Sequence, residues 1–250
     1  MADVLANLRV HVLGSGDAFG SGGRLQTCLL VEGEGGRLLV DCGATSLVAL
    51  RRAGIDPGTI DAVALTHLHG DHFGGLPFVI LDGQFRRRTS ALTIAGPRGT
   101  RERVEAAMEI FFPGSTGVAR RFALEYVELT DGVARHVGGM TVTAFEVTHA
   151  SGAPAHALRV ADGARVVAYS GDTEWTDRLV DAARDADLFV CEAYSYDRPV
   201  KFHLDHETLR GHRDALRARR ILLTHMAPDM LAHQADAAFE CAHDGMVIEL

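Results

Sequence analysis

The order of apolar and polar positions divides the chain into short strands and helices that alternate along most of its length. Short runs rich in Val, Ile and Leu, bounded by Gly, Asp or Pro, predict strands, and apolar residues that recur every three or four positions predict amphipathic helices. The predicted strands are 9–13, 27–31, 37–41, 63–65, 92–95, 124–128, 140–145, 157–160, 166–170, 188–191, 221–223 and 246–249. The predicted helices are 46–53, 72–81, 100–111, 176–184, 206–216 and 227–238.

Strands dominate the early part of each half of the chain and helices the later part. Two such halves are expected to pack sheet against sheet, with helices outside and loops along one edge, which is an α+β fold. No low-complexity linker divides the halves, so residues 1–250 are predicted to form a single structural domain.

Composition and charge exclude several classes of protein. With 47% hydrophobic and 23% charged residues, the chain has the composition of a soluble globular protein. The net charge of −8 offers no attraction to nucleic acid, and we interpret the arginines within 86–88, 98–103 and 217–220 as solvated faces. The N-terminus does not resemble a signal peptide and no apolar stretch is long enough to span a bilayer, so we expect a cytoplasmic protein without membrane contact. The four cysteines form no Cys-x-x-Cys pair and are interpreted as buried thiols.

The densest chemical signal is Leu-Thr-His-Leu-His-Gly-Asp-His at residues 65–72, directly after an apolar strand. Side chains two apart on an extended backbone point the same way, so His67 and His69 can converge on one cation. Gly70 permits a sharp bend, after which Asp71 and His72 diverge at the start of a predicted helix. Two imidazoles followed by a carboxylate–imidazole pair suit two adjacent divalent cations better than one.

Further potential ligands follow other apolar strands. Strands that end in Thr precede His149 and His225, and a strand that ends in Ser-Gly precedes Asp172. A rigid sheet commonly presents its chemistry on loops at strand exits. The sequence therefore predicts a metal centre at one edge of the sheets, built with five of the thirteen histidines.

In this order, the residues resemble the metallo-β-lactamase superfamily. The match consists of His67-x-His69-x-Asp71-His72, followed by His149, Asp172 and His225. The ordered set is specific and spans most of the chain. The resemblance implies a metal-dependent hydrolase with the four-layer αββα sandwich of that family and a dinuclear site, usually with zinc, at one edge.

Carried over residue by residue, the resemblance implies ligands for two Zn²⁺ ions. His67, His69 and His149 would bind the first ion, Asp71, His72 and His225 would bind the second, and Asp172 would bridge the two. Imidazole and carboxylate ligands without thiolate suit Zn²⁺, with Mn²⁺ and Fe²⁺ as alternatives. Asp41 resembles the aspartate that orients the metal loop in this family, although an aspartate at a strand end also caps turns.

Several motifs narrow the resemblance to the ribonuclease Z-like phosphodiesterases. They are GSGDAF at 14–19 followed by Arg24, GGLP at 74–77 and GPRGT at 96–100. Glu192 and His206 resemble the glutamate and histidine that together protonate the leaving oxygen in that branch. With Asp71 and Asp172 they complete the predicted catalytic set. Without the resemblance, Glu192 would be interpreted as a structural residue at a strand end and His206 as one at a helix start.

The chain also departs from ribonuclease Z. Only 22 residues separate His149 from Asp172, too few for the long arm with which ribonuclease Z binds transfer RNA. Together with the charge of −8, this departure argues against transfer RNA and leaves a cyclic nucleotide, another small phosphodiester or an RNA end as the substrate. The resemblance also predicts a homodimer and suggests that loop 17–24 lines the pocket.

Two other functions fit the same metal ligands. A lactonase or thioester hydrolase would need no counterpart of Glu192 and His206, so these two residues favour the phosphodiesterase. A non-catalytic metal-binding member of the family is disfavoured because every ligand is present.

Overall fold

Two sheets of seven strands each form the centre of the fold in the computed structural model, which describes residues 8–250. The first sheet contains β1 (Arg9–Gly14), β2 (Cys28–Gly33), β3 (Gly36–Val40), β4 (Ala62–Ala64), β5 (Leu92–Gly96), β6 (Leu124–Glu128) and β14 (Val247–Glu249). The second contains β7 (Ala134–Val137), β8 (Met140–Val147), β9 (Ala155–Asp162), β10 (Arg165–Tyr169), β11 (Leu188–Glu192), β12 (Ile221–Thr224) and β13 (Glu240–Cys241). The spatial orders are β14-β1-β2-β3-β4-β5-β6 and β13-β12-β11-β10-β9-β8-β7.

Helices cover the outer face of each sheet. The first half of the chain contains α1 (Ser46–Arg52), α2 (Gly70–Phe73), α3 (Leu76–Phe85) and α4 (Thr100–Phe111). The second half contains α5 (Arg178–Ala183), α6 (His206–Gly211), α7 (Arg213–Leu216) and α8 (Pro228–Ala232). None of these helices has the length and apolarity that crossing a lipid bilayer requires.

Both faces of central strands such as β2, β4 and β11 are buried, which explains their nearly continuous apolar sequences. In β2, Leu29 and Val31 belong to the core between the two sheets, whereas Cys28 and Leu30 belong to the core under the first helix layer. Successive side chains of a strand point to opposite faces, so one apolar run serves two cores. Phe189 of β11 faces the third core, under α5 to α8. The four layers confirm the predicted αββα sandwich.

Strand direction brings several loops to one edge of the sandwich. Strands β3 to β6 run parallel to one another, and so do β10 to β13. Strand β8 runs in the same direction as β10 because both are antiparallel to β9. At this edge the sheets are joined by backbone bonds from His156 N to Thr66 O (3.0 Å) and from His225 N to Ser15 O (3.2 Å).

Three predicted helices are wrong in extent. The helix predicted over 72–81 is divided into α2 and α3 at Gly74 and Gly75. Gly75 packs so closely that a Cβ there would lie 2.3 Å from the carbonyl oxygen of Gly43. The helix predicted over 206–216 is divided at His212, whose ring stacks on Trp175 with centroids 3.7 Å apart. The helix predicted over 227–238 ends at Ala232, and strands β7 and β13 were not predicted.

Candidate metal centre

Three of the predicted ligands form one group, which we call the histidine group: His67, His69 and His149. His67 and His69 follow β4, and His149 follows β8. Their ring centroids lie 4.8 to 4.9 Å apart, and one nitrogen of each ring lies within 4.8 Å of the others. Nε2 of His149 lies 3.1 Å from Nδ1 of His69. Three imidazole nitrogens therefore converge on one point.

The other four predicted ligands form a second group, which we call the aspartate group: Asp71, His72, Asp172 and His225. All four are buried, and their ligand atoms lie within 4.8 Å of one another. Nε2 of His72 lies 3.2 Å from Oδ2 of Asp71 and 3.3 Å from Oδ1 of Asp172. Nε2 of His225 lies 3.3 Å from Asp71 and 3.5 Å from Asp172.

Asp172 stands between the two groups. Its Oδ2 atom lies 3.9 Å from Nε2 of His67 and 4.0 Å from Nε2 of His149, both in the histidine group. Gly171, which has φ +61, lets the chain turn sharply here, because a Cβ at that position would lie 2.7 Å from the carbonyl oxygen of His156. Asp172 therefore has the position expected of a ligand shared by two cations.

The donor atoms fit divalent cations. Nε2 of His67, Nε2 of His72 and Oδ1 of Asp172 are buried and make no hydrogen bond with the described residues. A buried polar atom left without a partner costs about 1–3 kcal/mol, so three that converge point to a missing ligand. Nitrogen and oxygen donors of this kind suit Zn²⁺ and related ions.

Electrostatics at the site also favour bound cations. Burial lowers the pKa of His67, which keeps its imidazole neutral, the form that binds metal. Burial also lowers the pKa of His72, but the carboxylates of Asp172, Asp41 and Asp71 outweigh that effect and raise the pKa well above its ordinary value. Three carboxylates thus surround one imidazole, and this excess of negative charge attracts positive ions.

Backbone and side-chain acceptors set the orientation of two histidines. Oδ2 of Asp41 accepts a hydrogen bond from Nδ1 of His72 at 2.7 Å, and its Oδ1 accepts one from Thr66 N at 2.8 Å. Nδ1 of His149 donates to the carbonyl oxygen of Phe202 at 2.9 Å. In both rings Nδ1 is engaged by an acceptor, so Nε2 is the nitrogen that faces the other donor atoms of the site. Asp41 therefore orients His72 and also caps the start of the loop that follows β4.

The predicted pairing of Glu192 with His206 is wrong, because Glu192 pairs with His203. Oε2 of the fully buried Glu192 lies 2.9 Å from Nδ1 of His203, and its Oε1 accepts a hydrogen bond from Thr173 N. One ring nitrogen of His203 lies within 4.8 Å of ligand atoms of both His149 and Asp172. Burial lowers the pKa of His203, but the hydrogen bond and charge of Glu192 outweigh it and raise the pKa above its ordinary value.

His206 lies elsewhere, inside the second helix layer. Its Nε2 accepts a hydrogen bond from Ala238 N at 2.9 Å, and its ring stacks on Tyr196 with centroids 5.0 Å apart. Asp205 caps α6 by accepting a bond from Thr208 N at 2.8 Å, so His206 is the first residue of the helix, where its ring packs inside the helix layer. The helix start was predicted at the same residue, so the wrong pairing arose from the unknown direction of the two rings and not from the helix boundary.

Three further residues of the site were not predicted. Tyr194 stacks on His203 with centroids 4.5 Å apart. Phe202 has φ +69 and presents its carbonyl to His149, and Glu174 holds this conformation by accepting a bond from Phe202 N at 2.7 Å. Such backbone contacts join segments far apart in the chain and leave no periodic signal in the sequence.

Comparisons with known proteins agree with this geometry. The family model described as anti-Pycsar protein Apyc1 matches residues 8–245. Ribonuclease Z of Geobacillus kaustophilus is 26% identical over 266 aligned positions, which cover 84% of this chain and 83% of the relative. An uncharacterized protein of Mycobacterium leprae, ML1173, is 32% identical over 232 positions, which cover 90% of this chain and 79% of the relative.

Two solved structures superpose on this chain over nearly its whole length. The short form of human tRNase Z (ELAC1) superposes with a TM-score of 0.78 and 25% identity, covering 96% of this chain and 98% of the other. The metallo-β-lactamase fold protein YhfI of Bacillus subtilis has a TM-score of 0.77 and 23% identity, covering 98% of this chain and 100% of the other. The chain therefore belongs to the family of the anti-Pycsar protein Apyc1 and is a ribonuclease Z-like hydrolase of the metallo-β-lactamase superfamily.

Proposed function

We propose that the protein is a dinuclear-zinc phosphodiesterase that hydrolyses a small or cyclic phosphodiester or the end of an RNA. One observation carries the proposal: Asp172, a member of the aspartate group, lies within 4.0 Å of two rings of the histidine group, and the Glu192–His203 pair lies beside both groups. Relatives named ribonuclease Z support phosphodiester chemistry. The proposal treats residues 1–250 as a single structural domain.

The two groups would each hold one cation. The histidine group would bind the first, and Asp71, His72 and His225 the second, with Asp172 shared. Bound Zn²⁺ supplies Lewis acidity, which lowers the pKa of water in the site to about 7 and offsets negative charge on the phosphoryl oxygens. Mn²⁺ and Fe²⁺ use the same donor atoms, so elemental analysis of the purified protein would identify the metal. In this arrangement Asp172 also orients the attacking water.

His203 would supply the proton that the leaving oxygen needs. Glu192 accepts a hydrogen bond from Nδ1 of His203, which holds the ring beside His149 and Asp172. Tyr194 stacks on the ring and limits its rotation. A protonated His203 can therefore donate to a departing alkoxide. General acid catalysis of this kind contributes about 10²- to 10⁴-fold in rate.

The test compares leaving groups that differ in their need for a proton. We expect His203→Ala to slow hydrolysis of a nucleoside phosphodiester with an alkoxide leaving group by about 10²- to 10⁴-fold. Bis(p-nitrophenyl) phosphate, whose leaving group needs no proton, should be affected much less. Zinc content should not change, because all seven residues of the histidine group and the aspartate group are retained, although one nitrogen of His203 also lies within 4.8 Å of ligand atoms of His149 and Asp172.

His206→Ala is the matched control because it removes the histidine of the rejected pairing. We expect it to lower thermal stability and to affect both ester classes equally, since its ring is bound to Ala238 and Tyr196. Equal slowing of both classes in His203→Ala, or loss of zinc there, would contradict the proton-donor role. Faster turnover of an acyl-homoserine lactone than of any phosphodiester would contradict the proposed phosphodiesterase function.

The predicted homodimer is testable by sedimentation of the zinc-loaded protein.

A further inference from the structure

Phe19 lies on a turn that hydrogen bonds hold together, although its side chain is 83% exposed. The fully buried Asp17 organises this turn: its Oδ1 accepts bonds from Phe19 N at 3.2 Å and Ser21 N at 2.9 Å, and its Oδ2 accepts one from Ser21 Oγ at 2.6 Å. Among residues 8–250, no other aromatic ring stacks on Phe19 and no cation lies over it. A large apolar side chain is thus presented to solvent by a fixed backbone.

Two routes of hydrogen bonds connect the turn to the aspartate group. Ser15, which precedes the turn, accepts a bond from His225 N at 3.2 Å through its carbonyl oxygen. The carbonyl oxygen of Ala18 accepts a bond from Nε2 of Gln26 at 3.1 Å.

Gln26 completes the second route on the far side of the turn. Its Oε1 accepts a bond from Ala44 N at 2.8 Å. The neighbouring Gly43 packs against Asp71 so closely that a Cβ would lie 2.2 Å from the Asp71 carbonyl oxygen. The turn that carries Phe19 is therefore connected through Ser15 to His225, and through Gln26 to the segment that packs on Asp71.

We propose that Phe19 is the platform on which a planar aromatic ring of the substrate, of the nucleobase class, stacks while its phosphodiester lies at the metal centre. This inference rests on the proposed phosphodiesterase function. An exposed ring loses water when another ring covers it, and a ring with only two side-chain torsions loses little conformational entropy on binding. Stacking of a base on an aromatic side chain is worth about 5- to 150-fold in affinity by alanine substitution.

The experiment compares two phosphodiesters with the same leaving group, thymidine 5′-(p-nitrophenyl) phosphate and methyl p-nitrophenyl phosphate. For the zinc-loaded wild-type protein, the ratio of their kcat/KM values reports the contribution of the nucleoside. We expect Phe19→Ala to lower this ratio about 5- to 150-fold, mainly through KM for the thymidine ester. Phe19→Trp should retain the ratio, because it keeps an aromatic face.

Phe85→Ala is the matched control, since Phe85 is 78% exposed at the end of α3 and belongs to neither route. It should leave the ratio unchanged. An equal loss for both esters in Phe19→Ala, or an unchanged ratio, would overturn the inference. A change in oligomeric state on sedimentation of Phe19→Ala would also overturn it, because a second copy of the chain would then cover the ring.

A binding measurement separates this inference from the proposed function. Calorimetry with thymidine 5′-monophosphate and with deoxyribose 5-phosphate needs no turnover. If the wild-type protein hydrolyses neither ester, the phosphodiesterase proposal fails. A preference for the nucleotide that disappears in Phe19→Ala would still support the platform, and the absence of any preference in the wild-type protein would overturn it.

Discussion

Replacement of Asp41 by asparagine tests whether the aspartate group depends on its orienting contact. Asp41 is fully buried, has φ +58 and accepts hydrogen bonds from Thr66 and from Nδ1 of His72. Asparagine has nearly the same shape and tolerates this backbone conformation, so the fold should be retained. Its amide can accept from Thr66, but then its NH₂ group faces the Nδ1 proton of His72. To relieve this, His72 must move its proton to Nε2 or turn, and either change removes a ligand.

The size of the effect follows from comparable metal sites. Loss of an acceptor behind a metal-binding histidine costs about 10- to 100-fold in metal affinity, which corresponds to about 1.4–2.7 kcal/mol. We therefore expect Asp41→Asn to bind the zinc ion of the aspartate group about 10- to 100-fold less tightly than the wild type does. The stabilisation that saturating zinc adds to the free energy of unfolding should fall by the same amount, about 1.4–2.7 kcal/mol.

Two assays measure these quantities. Chelator competition followed by elemental analysis gives the affinity and number of zinc ions per chain. Denaturant unfolding of each variant, with zinc and after treatment with EDTA, gives the zinc-dependent part of the stability, so changes in the metal-free protein cancel. Asp82→Asn is the matched control, because Asp82 forms exposed ion pairs with Arg51 and Arg86. Zinc affinity that agrees within about twofold between Asp41→Asn and this control would refute the reasoning, since the expected loss is at least tenfold.

Two further substitutions probe the backbone around the site. Glu174→Ala removes the acceptor that holds Phe202 at φ +69, so we expect about tenfold weaker zinc binding in chelator competition, with Glu174→Gln restoring most of it. Equal losses in both variants would contradict a role for the acceptor. Gly43→Ala should lower the free energy of unfolding by about 1–3 kcal/mol, because the new Cβ would lie 2.2 Å from the carbonyl oxygen of Asp71. Gly211→Ala, where no atom lies within 4 Å, should be neutral or stabilising in the same denaturant assay; equal destabilisation of both would refute the packing argument.

Much of the centre could be predicted because its signals are local. His67, His69, Asp71 and His72 lie within six positions, and the alternation of an extended chain followed by a glycine bend determines where each side chain points. The other candidate ligands each follow the end of an apolar strand, and parallel strands bring such ends to one edge. A short-range pattern therefore contained most of the information about these seven residues.

Helix interruptions could not be predicted in the same way. The apolar pattern continues through Gly74 and Gly75, and nothing local marks the break between α2 and α3. The break arises because Gly75 N donates to the carbonyl oxygen of Cys42 at 2.8 Å. The two backbone segments lie so close together there that only a residue without a Cβ fits. A contact between segments more than thirty positions apart overrides the local preference.

By itself, the sequence determined the four-layer fold and the residue types that converge at one edge, since both follow from periodicity and from the spacing of ligands along strands. Only the tertiary structure decided which of two nearby histidines joins Glu192. That choice depends on how residues 197–203 return toward the site, with Val200 pairing with His203 and Phe202 in a left-handed conformation. These are contacts between distant segments, whose energy is realised only when the sheets have packed, so no local pattern could have revealed them.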